Sequence, residues 1–403
     1  MQNLIIDQPY KFVAPRYSAF WAGLVKIWLR RHVRVAHGIT SWECRGVEHL
    51  QASLDAGHGV LLAPNHCRPC DPMLLSVHLA GLCGRAFHTM ASWHLFKQNP
   101  LLAFLLPRVG AFSMYREGPD RESLKCAAGL LAAARHPLVL FPEGFITRGN
   151  DCLHDMMDGV AFLARLAAQQ RAAQNPPGKV VVHPVFLRYF HEGDMEAATR
   201  PVLDMIDARL GWQIAPRLGM KERVKRIGLG LLALKEIEYF GNVQPGDTVA
   251  RRVQLMEQVL APLEHKFTGG RSDGSPMDRV KRLRGAILPG LIDKEIPPQE
   301  KARRWLMMGD LYFAQQLVCY PSNYLDGEVP PEHWLETVER FEEDLTDSAR
   351  AHPPLHAVIT VGTAIDCDAS HDRRRESAHV TAQLKNQMDA MMIRSLACRR
   401  DTP

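Results

Sequence analysis

The sequence predicts an α/β protein with a largely parallel sheet flanked by helices, an N-terminal amphipathic helix and a large helical insertion. The first supporting observation is that short apolar runs, typical of buried strands, alternate with segments of helical periodicity over the first half of the chain. The second is that these runs lead directly into polar residues. The third is that residues 194–350 are compatible with helix almost throughout. Alternating strands and helices are typical of a parallel sheet covered by helices.

Strand candidates are segments that are short, apolar or alternating, and bounded by turn residues. They are residues 39–45, 60–63, 86–91, 111–115, 137–141, 180–186 and 357–362. Helices are predicted over residues 17–37, 48–56, 73–79, 95–106, 121–135, 160–173 and 376–397. This order predicts four parts: a membrane-contact helix in residues 1–38, a core in 39–193, a mainly helical insertion in 194–354, and a closing strand and helix of the core in 355–403.

Length and composition narrow the classes of function. The 403 residues can bury an ample core, and a net charge of +5 is too small to indicate nucleic acid as a partner. Nine cysteines without a pairing pattern are typical of reduced thiols in the cytoplasm. No second Cys-x-x-Cys completes a four-cysteine zinc site, so no metal is predicted. No window reaches the ~18–20 apolar residues of a membrane span, and the sequence shows no cleavable signal.

The predicted helix over residues 17–37 has an apolar side next to a basic cluster. Its apolar residues are Phe20, Trp21, Leu24, Val25, Trp28 and Leu29, and its basic residues are Lys26, Arg30, Arg31 and Arg34. Two tryptophans beside basic residues favour a membrane surface with anionic lipid as the partner. The alternative is an amphipathic helix that packs on the rest of the domain.

The predicted insertion is divided by charge. Residues 217–304 are rich in Lys and Arg, whereas residues 326–348 are rich in Asp and Glu. This asymmetry is compatible with a basic surface on anionic lipid and an acidic face elsewhere. For the basic stretch that starts at Arg217, the alternative is a solvated helix face.

The polar segment 65–72 follows one of the buried strands and leads into a helix. Asp71 suits the N-cap of that helix, and the proline after it suits the first helical position. Three interpretations are open. In the first, His66 is a general base and Asp71 orients its ring. In the second, Cys67 and Cys70 form a redox dithiol at a helix N-terminus, as in thioredoxin-like proteins. In the third, Asp71 only caps the helix and His66 is a turn residue.

Four predicted strands carry polar residues at or near their ends. These residues are His66 with Asp71, Arg116, Glu143 with Gly144, and His183. Because the carboxyl ends of parallel strands meet at one edge of a sheet, these side chains can converge there.

Taken together, the four segments resemble the motifs of the glycerol-phosphate and lysophosphatidate acyltransferase family. Asn65-His66-x4-Asp71 matches the first motif, and the stretch from Gly110 to Arg116 resembles the second. The third and fourth motifs resemble Phe141-Pro142-Glu143-Gly144 and Val182-His183-Pro184-Val185. Residues 44–50 are similar to the family's entry strand and turn, and residues 359–365 to its closing strand. The resemblance covers about 40–190 and 355–397, so the predicted insertion lies outside it.

The resemblance implies transfer of an acyl group from acyl-CoA or acyl carrier protein to the hydroxyl of a glycerophosphate-type or lyso-lipid acceptor. In this chemistry His66 is the base, Asp71 orients it, and Arg116 offers phosphate a bidentate partner. Supporting contacts to the acceptor are implied for Glu143, Gly144, Arg148 and Arg68. No metal or bound cofactor is implied, since the acyl donor is a co-substrate. The implied enzyme is cytoplasmic and peripherally associated with the membrane.

The chain departs from the family's motifs at two places. The third motif usually continues Thr-Arg-Ser-Arg, but here Phe145, Ile146 and Thr147 precede Arg148, so one arginine is lost. Residue 115 is a tyrosine where the family often has a small polar residue. Fewer phosphate contacts argue against lysophosphatidate itself as the acceptor.

The implied roles have alternatives. For Glu143 and Gly144 the alternative is a Pro-x-Gly turn, and for Arg116 it is an exposed charge at a strand end. His183 is expected to be a core histidine with satisfied hydrogen bonds and no catalytic role. At the level of function, the rivals are a thioredoxin-like dithiol oxidoreductase that uses the Cys67/Cys70 pair and a catalytically silent lipid-binding module.

Overall fold

The computed structural model describes residues 6, 8–118, 120–213, 217–292, 296–348, 350–367 and 373–398, without the side chains of 373–376, 397 and 398. The remaining positions of the predicted segments 1–38, 194–354 and 355–403 lie outside the described residues. The chain divides into two compact units. We name residues 10–115, 119–192 and 353–403 the sheet unit, and residues 1–9, 116–118 and 193–352 the helical unit.

In its described residues the sheet unit contains eight strands in a mixed, mostly parallel sheet, as predicted. The strands are β1 (Ile39–Arg45), β2 (Gly59–Pro64), β3 (His88–Ser92), β4 (Ala111–Met114), β5 (Leu138–Val139), β6 (Val180–His191), β7 (Leu355–Val361) and β8 (Ile365–Cys367). Their order is β1-β7-β6-β2-β5-β3-β4, and β8 pairs with β6. The pairings of β6 with β7 and with β8 are antiparallel, and the other neighbours are parallel.

Helices flank this sheet and make up the helical unit. In the sheet unit they are α1 (Ala19–Ala36), α2 (Val47–Asp55), α3 (Asp71–Leu74), α4 (Ala80–Leu82), α5 (Pro100–Arg108), α6 (Arg121–Ala133), α7 (Gly159–Ala172) and α14 (Arg373–Cys398). In the helical unit they are α8 (Met195–Arg209), α9 (Met220–Phe240), α10 (Thr248–Phe267), α11 (Pro276–Ile292), α12 (Pro298–Val318) and α13 (Pro331–Thr346). A π-helical turn (Leu75–Leu79) joins α3 to α4, and a 3₁₀ turn (Trp93–Lys97) precedes α5.

The long strand β6 organises the sheet. Its first half pairs with β2 on one side and with β8 on the other, and its second half pairs with β7. Leu61, Val180, Val182 and Phe186 from the sheet are buried in one apolar core with side chains of α6, α7 and α14. Burial on both faces explains why these strands are continuous apolar runs in the sequence.

Several predicted elements differ in extent from the observed ones. The run 137–141 forms only the two-residue strand β5, because prolines flank it and lack the N–H that a ladder needs. The predicted closing strand is two strands, β7 and β8, separated by residues 362–364. The segment 95–106 is interrupted before α5, where the Asn99 side chain accepts a 2.8 Å hydrogen bond from Leu102 N and caps the helix.

The predicted apolar face of α1 is divided between two sides of the helix. Phe20, Leu24 and Trp28 are exposed, with Ile27 71% exposed beside them, whereas other predicted members, such as Trp21, are partly buried. The Trp21 ring lies edge-on to Phe104 of α5 at 5.1 Å. The helix therefore packs on the sheet unit and also presents apolar side chains outward. Among the described helices, none combines the length and apolar character that a bilayer crossing requires.

Charged side chains of the helical unit form more ion pairs within that unit than the sequence suggests. Arg223 of α9 is buried and donates to Asp204 and Asp207 of α8 at 2.7 Å, and Arg226 donates to Asp207 at 2.8 Å. These two arginines are therefore not part of a freely solvated face. The predicted acidic face is wrong for much of α13, since Glu332, Glu336, Glu342 and Glu343 are buried.

Candidate active site

Two asparagines extend the edge of β6 beyond the end of β2. The Asn65 side chain accepts from Leu187 N at 2.7 Å and donates to Leu187 O at 3.0 Å. The Asn150 side chain forms the same pair of bonds with Tyr189, at 2.9 and 2.7 Å. Both side chains are buried and satisfy backbone groups that no strand covers. They fix the segment that contains His66 to the central strand.

The His66 ring and the Asp71 carboxylate are paired. His66 Nδ1 lies 2.8 Å from Asp71 Oδ2, and the Asp71 side chain is fully buried. The same oxygen accepts from the backbone N–H of Arg68 at 2.8 Å, and Oδ1 accepts from the Tyr189 hydroxyl. A carboxylate on Nδ1 keeps the proton of the neutral ring there and leaves the lone pair on Nε2. The pair therefore has the geometry of an oriented general base.

The predicted N-cap role of Asp71 is wrong in detail. Helix α3 begins at Asp71 itself, and Cys70 occupies the N-cap without a side-chain capping bond. The Asp71 carboxylate instead points back to Arg68 N, because His66 and Tyr189 supply its other two donors. The π-helical turn that follows α3 is a rare conformation that is often found near functional sites.

The loop after β5 holds the backbone and ring of His66. The His66 ring is stacked on Phe141 with ring centres 4.1 Å apart. The His66 carbonyl accepts from Thr147 N at 2.8 Å, and its N–H donates to Glu143 Oε1 at 3.0 Å. Glu143 Oε2 accepts from His154 N at 3.3 Å. The third motif is thus in direct contact with the first.

Glu143 is a buried acid with a perturbed pKa. Its side chain is 4% exposed, and burial raises its pKa to about 7. The backbone N–H groups of His66 and His154 oppose this shift, and the charge of Asp71 adds to it. Since both carboxylate oxygens accept from backbone N–H groups, the contacts of Glu143 brace the His66 loop. Its predicted contact with the acceptor stays a prediction.

Gly144 and Arg148 shape the rest of this loop. Gly144 N donates to Phe141 O at 3.2 Å, so the predicted Pro-x-Gly turn is present. Gly144 has φ +75°, a left-handed conformation that glycine adopts without strain. Arg148 also has a positive φ, +60°. Non-glycine residues in this conformation are uncommon and cluster at functional sites.

Arg68 and Arg148 create a positive field near the C-terminal end of α1. Arg68 is buried, and its guanidinium lies 5.2 Å from the centre of the Tyr189 ring. The pKa of His37, which follows α1, is lowered to about 4, mainly by burial and by His32, and the charges of Arg68 and Arg148 lower it further. The two predicted arginines therefore lie within electrostatic range of the same histidine. Such a field suits an anionic group.

Arg116 belongs to the helical unit. Burial lowers its pKa, with the neighbouring charge of Arg284 acting in the same direction and that of Glu117 opposing. Arg284 itself pairs with Glu117 at 3.2 Å. The role of Arg116 as a phosphate ligand stays a prediction.

The two cysteines of the segment 65–72 lie in surroundings typical of structural thiols. Cys67 and Cys70 are both thiols, and both are buried. Cys67 Sγ lies 3.5 Å from Leu187 O, whereas Cys70 Sγ lies 3.6 Å from the Tyr189 hydroxyl. Burial raises the pKa of Cys70 to about 12. A redox dithiol needs a thiolate stabilised near neutral pH, so these surroundings argue against the oxidoreductase interpretation.

His183 is the satisfied core histidine that was expected. It is fully buried, with Nε2 2.9 Å from Ser53 Oγ and Nδ1 2.9 Å from Gly362 O. Within the described part of the chain, no group of three or more His, Cys, Asp or Glu side chains is arranged to bind a metal ion.

Three residues of the site were not predicted from the sequence. They are Tyr189, Asn150, and Asn65 in its role of bonding to the backbone edge of β6. Asn65 was noted only as a motif residue, and the other two lie outside the motifs. A signal did exist for Tyr189, since it continues the apolar run of the fourth motif as a residue with a polar tip, and buried tyrosine hydroxyls usually find a partner. The distances in sequence, 118 residues for Tyr189 to Asp71 and 39 for Asn150 to Tyr189, exceed what spacing can predict.

A family model matches the part of the chain that contains the His66–Asp71 pair. Residues 41–188 match the model of the family described as Acyltransferase, which comprises the glycerol-phosphate and lysophosphatidate acyltransferases. The matched segment contains all four motifs and both residues of the His66–Asp71 pair. Comparison with curated proteins found no match. The chain therefore carries an acyltransferase domain, the kind that transfers acyl groups in glycerolipid metabolism.

Proposed function

We propose that the protein is a peripheral membrane enzyme that transfers a fatty acyl group from acyl-CoA or acyl carrier protein to a hydroxyl group of a glycerophosphate-type or lyso-lipid acceptor. The observation that carries the proposal is the buried Asp71 carboxylate on Nδ1 of His66, within a segment that matches the acyltransferase family. The proposed location is the cytoplasm, at the surface of a membrane with anionic lipid.

In the proposed mechanism, His66 Nε2 takes the proton of the acceptor hydroxyl while its oxygen attacks the thioester carbonyl carbon. The C–S bond then breaks, the thiolate leaves, and the imidazolium returns the proton to sulfur. Asp71 keeps the ring in the required tautomer and stabilises the imidazolium. A positioned base contributes about 10²–10⁴-fold to such a reaction. No Ser or Cys nucleophile is needed, because the thioester is already activated.

The acceptor's anionic head is assigned to arginines. Arg68 and Arg148 both contribute to the positive field around His37, and the backbone N–H of Arg68 donates to Asp71. Arg116 is proposed as a further, bidentate ligand of phosphate. Glu143 and Gly144 are proposed to orient the acceptor through the loop that they hold beside His66.

A membrane supplies the acceptor in this proposal. Phe20, Leu24, Ile27 and Trp28 of α1 are exposed, and Leu101 and Phe104 of α5 are 65% and 39% exposed. Exposed apolar side chains next to Arg30 and Arg31 suit an interfacial helix on anionic lipid. Because His37 follows α1 and senses the charges of Arg68 and Asp71, this helix ends close to the proposed site.

The test of the chemistry incubates purified protein with labelled palmitoyl-CoA or palmitoyl carrier protein and a panel of lyso-lipids and glycerol phosphate. We expect wild-type protein to form an acylated product and His66→Ala to lose at least about a hundredfold in rate. The matched control is His379→Ala, which removes an exposed histidine of α14. A wild-type protein without product on any donor and acceptor would favour the silent lipid-binding module.

The test of membrane attachment is sedimentation with anionic vesicles. Burying an apolar side chain of this size contributes about 1.5–3 kcal/mol, so Ile27→Ser and Trp28→Ser should each weaken vesicle binding at least about tenfold. The control is Val253→Ser on α10, where an apolar side chain is similarly exposed (57%). Equal binding by all three variants would contradict the assignment of α1.

A further inference from the structure

The helical unit contains a cavity of about 760 Å³ bordered by α9, α10, α12 and α13. Its lining is mostly apolar and includes Leu231, Leu255, Phe313, Leu317 and Phe341. Ligand pockets in proteins have volumes of about 300–1,000 Å³, whereas interior voids rarely exceed a water molecule. The cavity is therefore of ligand size.

Two glycines in helix interiors line the cavity. Gly309 of α12 lines it, and a Cβ atom built there meets no heavy atom within 4 Å outside its own helix. Gly228 of α9 also lines it, and a Cβ atom there meets only Phe341, at 3.3 Å. Glycine in a helix interior costs about 1 kcal/mol relative to alanine. At Gly309, close packing does not explain that cost.

One part of the cavity wall contains two guanidinium groups that are near each other. Arg340 is 3% exposed and lies between Tyr320 and Tyr324, with its Cζ atom 5.0 and 5.2 Å from the ring centres. Burial lowers the pKa of Arg252, and the charge of Arg340 lowers it further. Like charges at this proximity are unfavourable unless an anion joins them.

The described residues offer these guanidiniums only neutral acceptors. Arg340 donates to Glu336 O and to Thr337 Oγ1, each at 3.3 Å, and its buried Nη1 has no hydrogen-bond partner among the described residues. Arg252 donates to the carbonyl oxygens of Thr248 and Tyr320. The positive charge of this wall is therefore not matched by a bonded carboxylate.

The acid on the same wall is bonded to neutral donors. Asp344 accepts from the Tyr320 hydroxyl at 2.6 Å and from Gln316 Nε2 at 2.5 Å. The Asp344 side chain is exposed, and the charge of Arg340 acts on it through space. On α9, Glu238 and Lys235 pair with each other at 2.7 Å, and Lys225 Nζ lies 5.8 Å from the centre of the Trp334 ring. Asp326 also lines the cavity.

We propose that this cavity binds a single-chain amphiphile with an anionic head, such as a fatty carboxylate or a lyso-lipid phosphate. The apolar walls would hold the chain, and Arg252 and Arg340 would bind the head. The anionic head of the ligand would neutralise the two guanidinium groups of this wall. The apolar chain of the ligand would fill the space beside the two glycines. The site lies within the helical unit and does not depend on the acyl-transfer chemistry of the sheet unit.

The experiment uses the full-length protein and a dansyl-labelled undecanoate, which reports binding by fluorescence. Dodecanoate, dodecyl phosphate and dodecanol then compete with it, and saturation gives the number of sites. We expect at least one of the two anions to compete at least tenfold better than dodecanol, and the better one identifies the head group. Absence of saturable binding, or equal competition by dodecanol, would overturn the proposal.

Variants separate this cavity from any acyl-binding surface elsewhere in the chain. Gly309→Leu fills the cavity and should remove one saturable site, whereas Gly129→Leu, at an exposed position of α6 with no neighbour within 4 Å, should remove none. An unchanged number of sites in Gly309→Leu would overturn the proposal. Circular dichroism checks that both variants are folded.

Substitutions at the head site give a second, independent readout. Arg252→Gln should weaken binding of the anion at least tenfold without changing dodecanol, and Arg252→Lys should restore part of the affinity, because it keeps the charge. If Gly309→Leu does not fold, the comparison of Arg252→Gln with Arg252→Lys tests the proposed site instead. Equal anion affinity in Arg252→Gln and wild type would overturn the proposed head site.

Discussion

The Asp71 carboxylate in the sheet unit and the Arg340 guanidinium in the helical unit are both buried, at 0% and 3% exposure, but their partners differ. Asp71 accepts hydrogen bonds from a histidine ring, a backbone N–H and a tyrosine hydroxyl. Arg340 donates only to neutral oxygens of its own helix, and one of its nitrogens has no partner among the described residues.

This difference distinguishes a site that is complete from one that awaits a ligand. A buried charge costs several kcal/mol unless hydrogen bonds or an opposite charge compensate it. The chain itself supplies that compensation at Asp71, so the His66–Asp71 pair is preorganised before substrate binds. At Arg340 the compensation is partial, and the adjacent cavity is where an anion could supply the rest. Substitutions at the two sites should therefore have opposite consequences.

The largest expected effect comes from Asp71→Asn. The amide group cannot accept from all three donors, and it no longer fixes the N–H of His66 at Nδ1. We expect the rate of acyl transfer to fall about 10²–10⁴-fold, as for loss of a positioned base. Steady-state kinetics would measure it, with Asp366→Asn as the control, since that exposed aspartate forms only a 3.5 Å surface pair with Lys179. A loss below about tenfold would show that the pair is not the catalytic base.

A second effect concerns Glu143, the other buried acid next to His66. Its pKa is about 7 in the folded protein, above the ordinary value of 4.5. Between these values the folded state binds more protons than the unfolded state, so stability falls as the pH rises from about 4.5 to about 7. The stabilisation that comes from the raised pKa of Glu143 is fully present below about pH 4.5. Its loss above about pH 7 lowers the free energy of unfolding by at most about 3 kcal/mol.

Urea denaturation of wild type and Glu143→Gln across this pH range would measure the effect. The glutamine cannot accept from both His66 N and His154 N, so it carries an offset in unfolding free energy, but that offset does not change with pH. The wild-type protein should lose stability relative to the variant as the pH rises. Other titrating groups, such as Asp344, are common to both proteins and cancel. Parallel stability curves would contradict the raised pKa.

Tyr189→Phe removes one of the three hydrogen-bond donors to Asp71. It tests how strongly the rate of acyl transfer depends on the hydrogen bonds to this carboxylate. A hydrogen bond to a charged group contributes about 1.5–3 kcal/mol, so we expect kcat to fall about tenfold or more with little change in KM. The control is Tyr239→Phe, whose hydroxyl donates to Asp310 at 2.7 Å in the helical unit. An unchanged kcat in Tyr189→Phe would assign the Tyr189 hydroxyl a purely structural role.

The parts of this molecule that depend on local pattern could be predicted from the sequence. Strands β2 and β6 are apolar runs because both faces of the sheet are covered, and the pairing of His66 with Asp71 spans only five residues. The sequence motifs predicted this pair, and the residue pattern predicted the core role of His183 and offered the Gly144 turn as an alternative to an acceptor contact. The family match over residues 41–188 agrees with the predicted family.

The parts that depend on long-range contact could not be predicted. The Asn150 side chain bonds to Tyr189, and the Tyr189 hydroxyl bonds to Asp71. These partners lie far apart in the chain, and a repeating sequence pattern does not reveal such contacts. The acids of α13 appeared to form a surface because sequence reports charge but not burial. The cavity beside Arg340 was missed for the same reason, since it arises from four helices and two glycines that are ordinary when taken singly.

The smallest expected effect comes from Arg340→Met. The replacement keeps an unbranched side chain between Tyr320 and Tyr324 and removes a buried charge whose acceptors are all neutral. Replacing a poorly compensated buried charge by an apolar residue is often neutral or stabilising, so we expect the unfolding free energy to change by less than about 1 kcal/mol without ligand. Breaking a compensated pair costs about 3–5 kcal/mol. A loss of that size in Arg340→Met would mean that the protein itself already neutralises this charge, and the contrast with Asp71 would disappear.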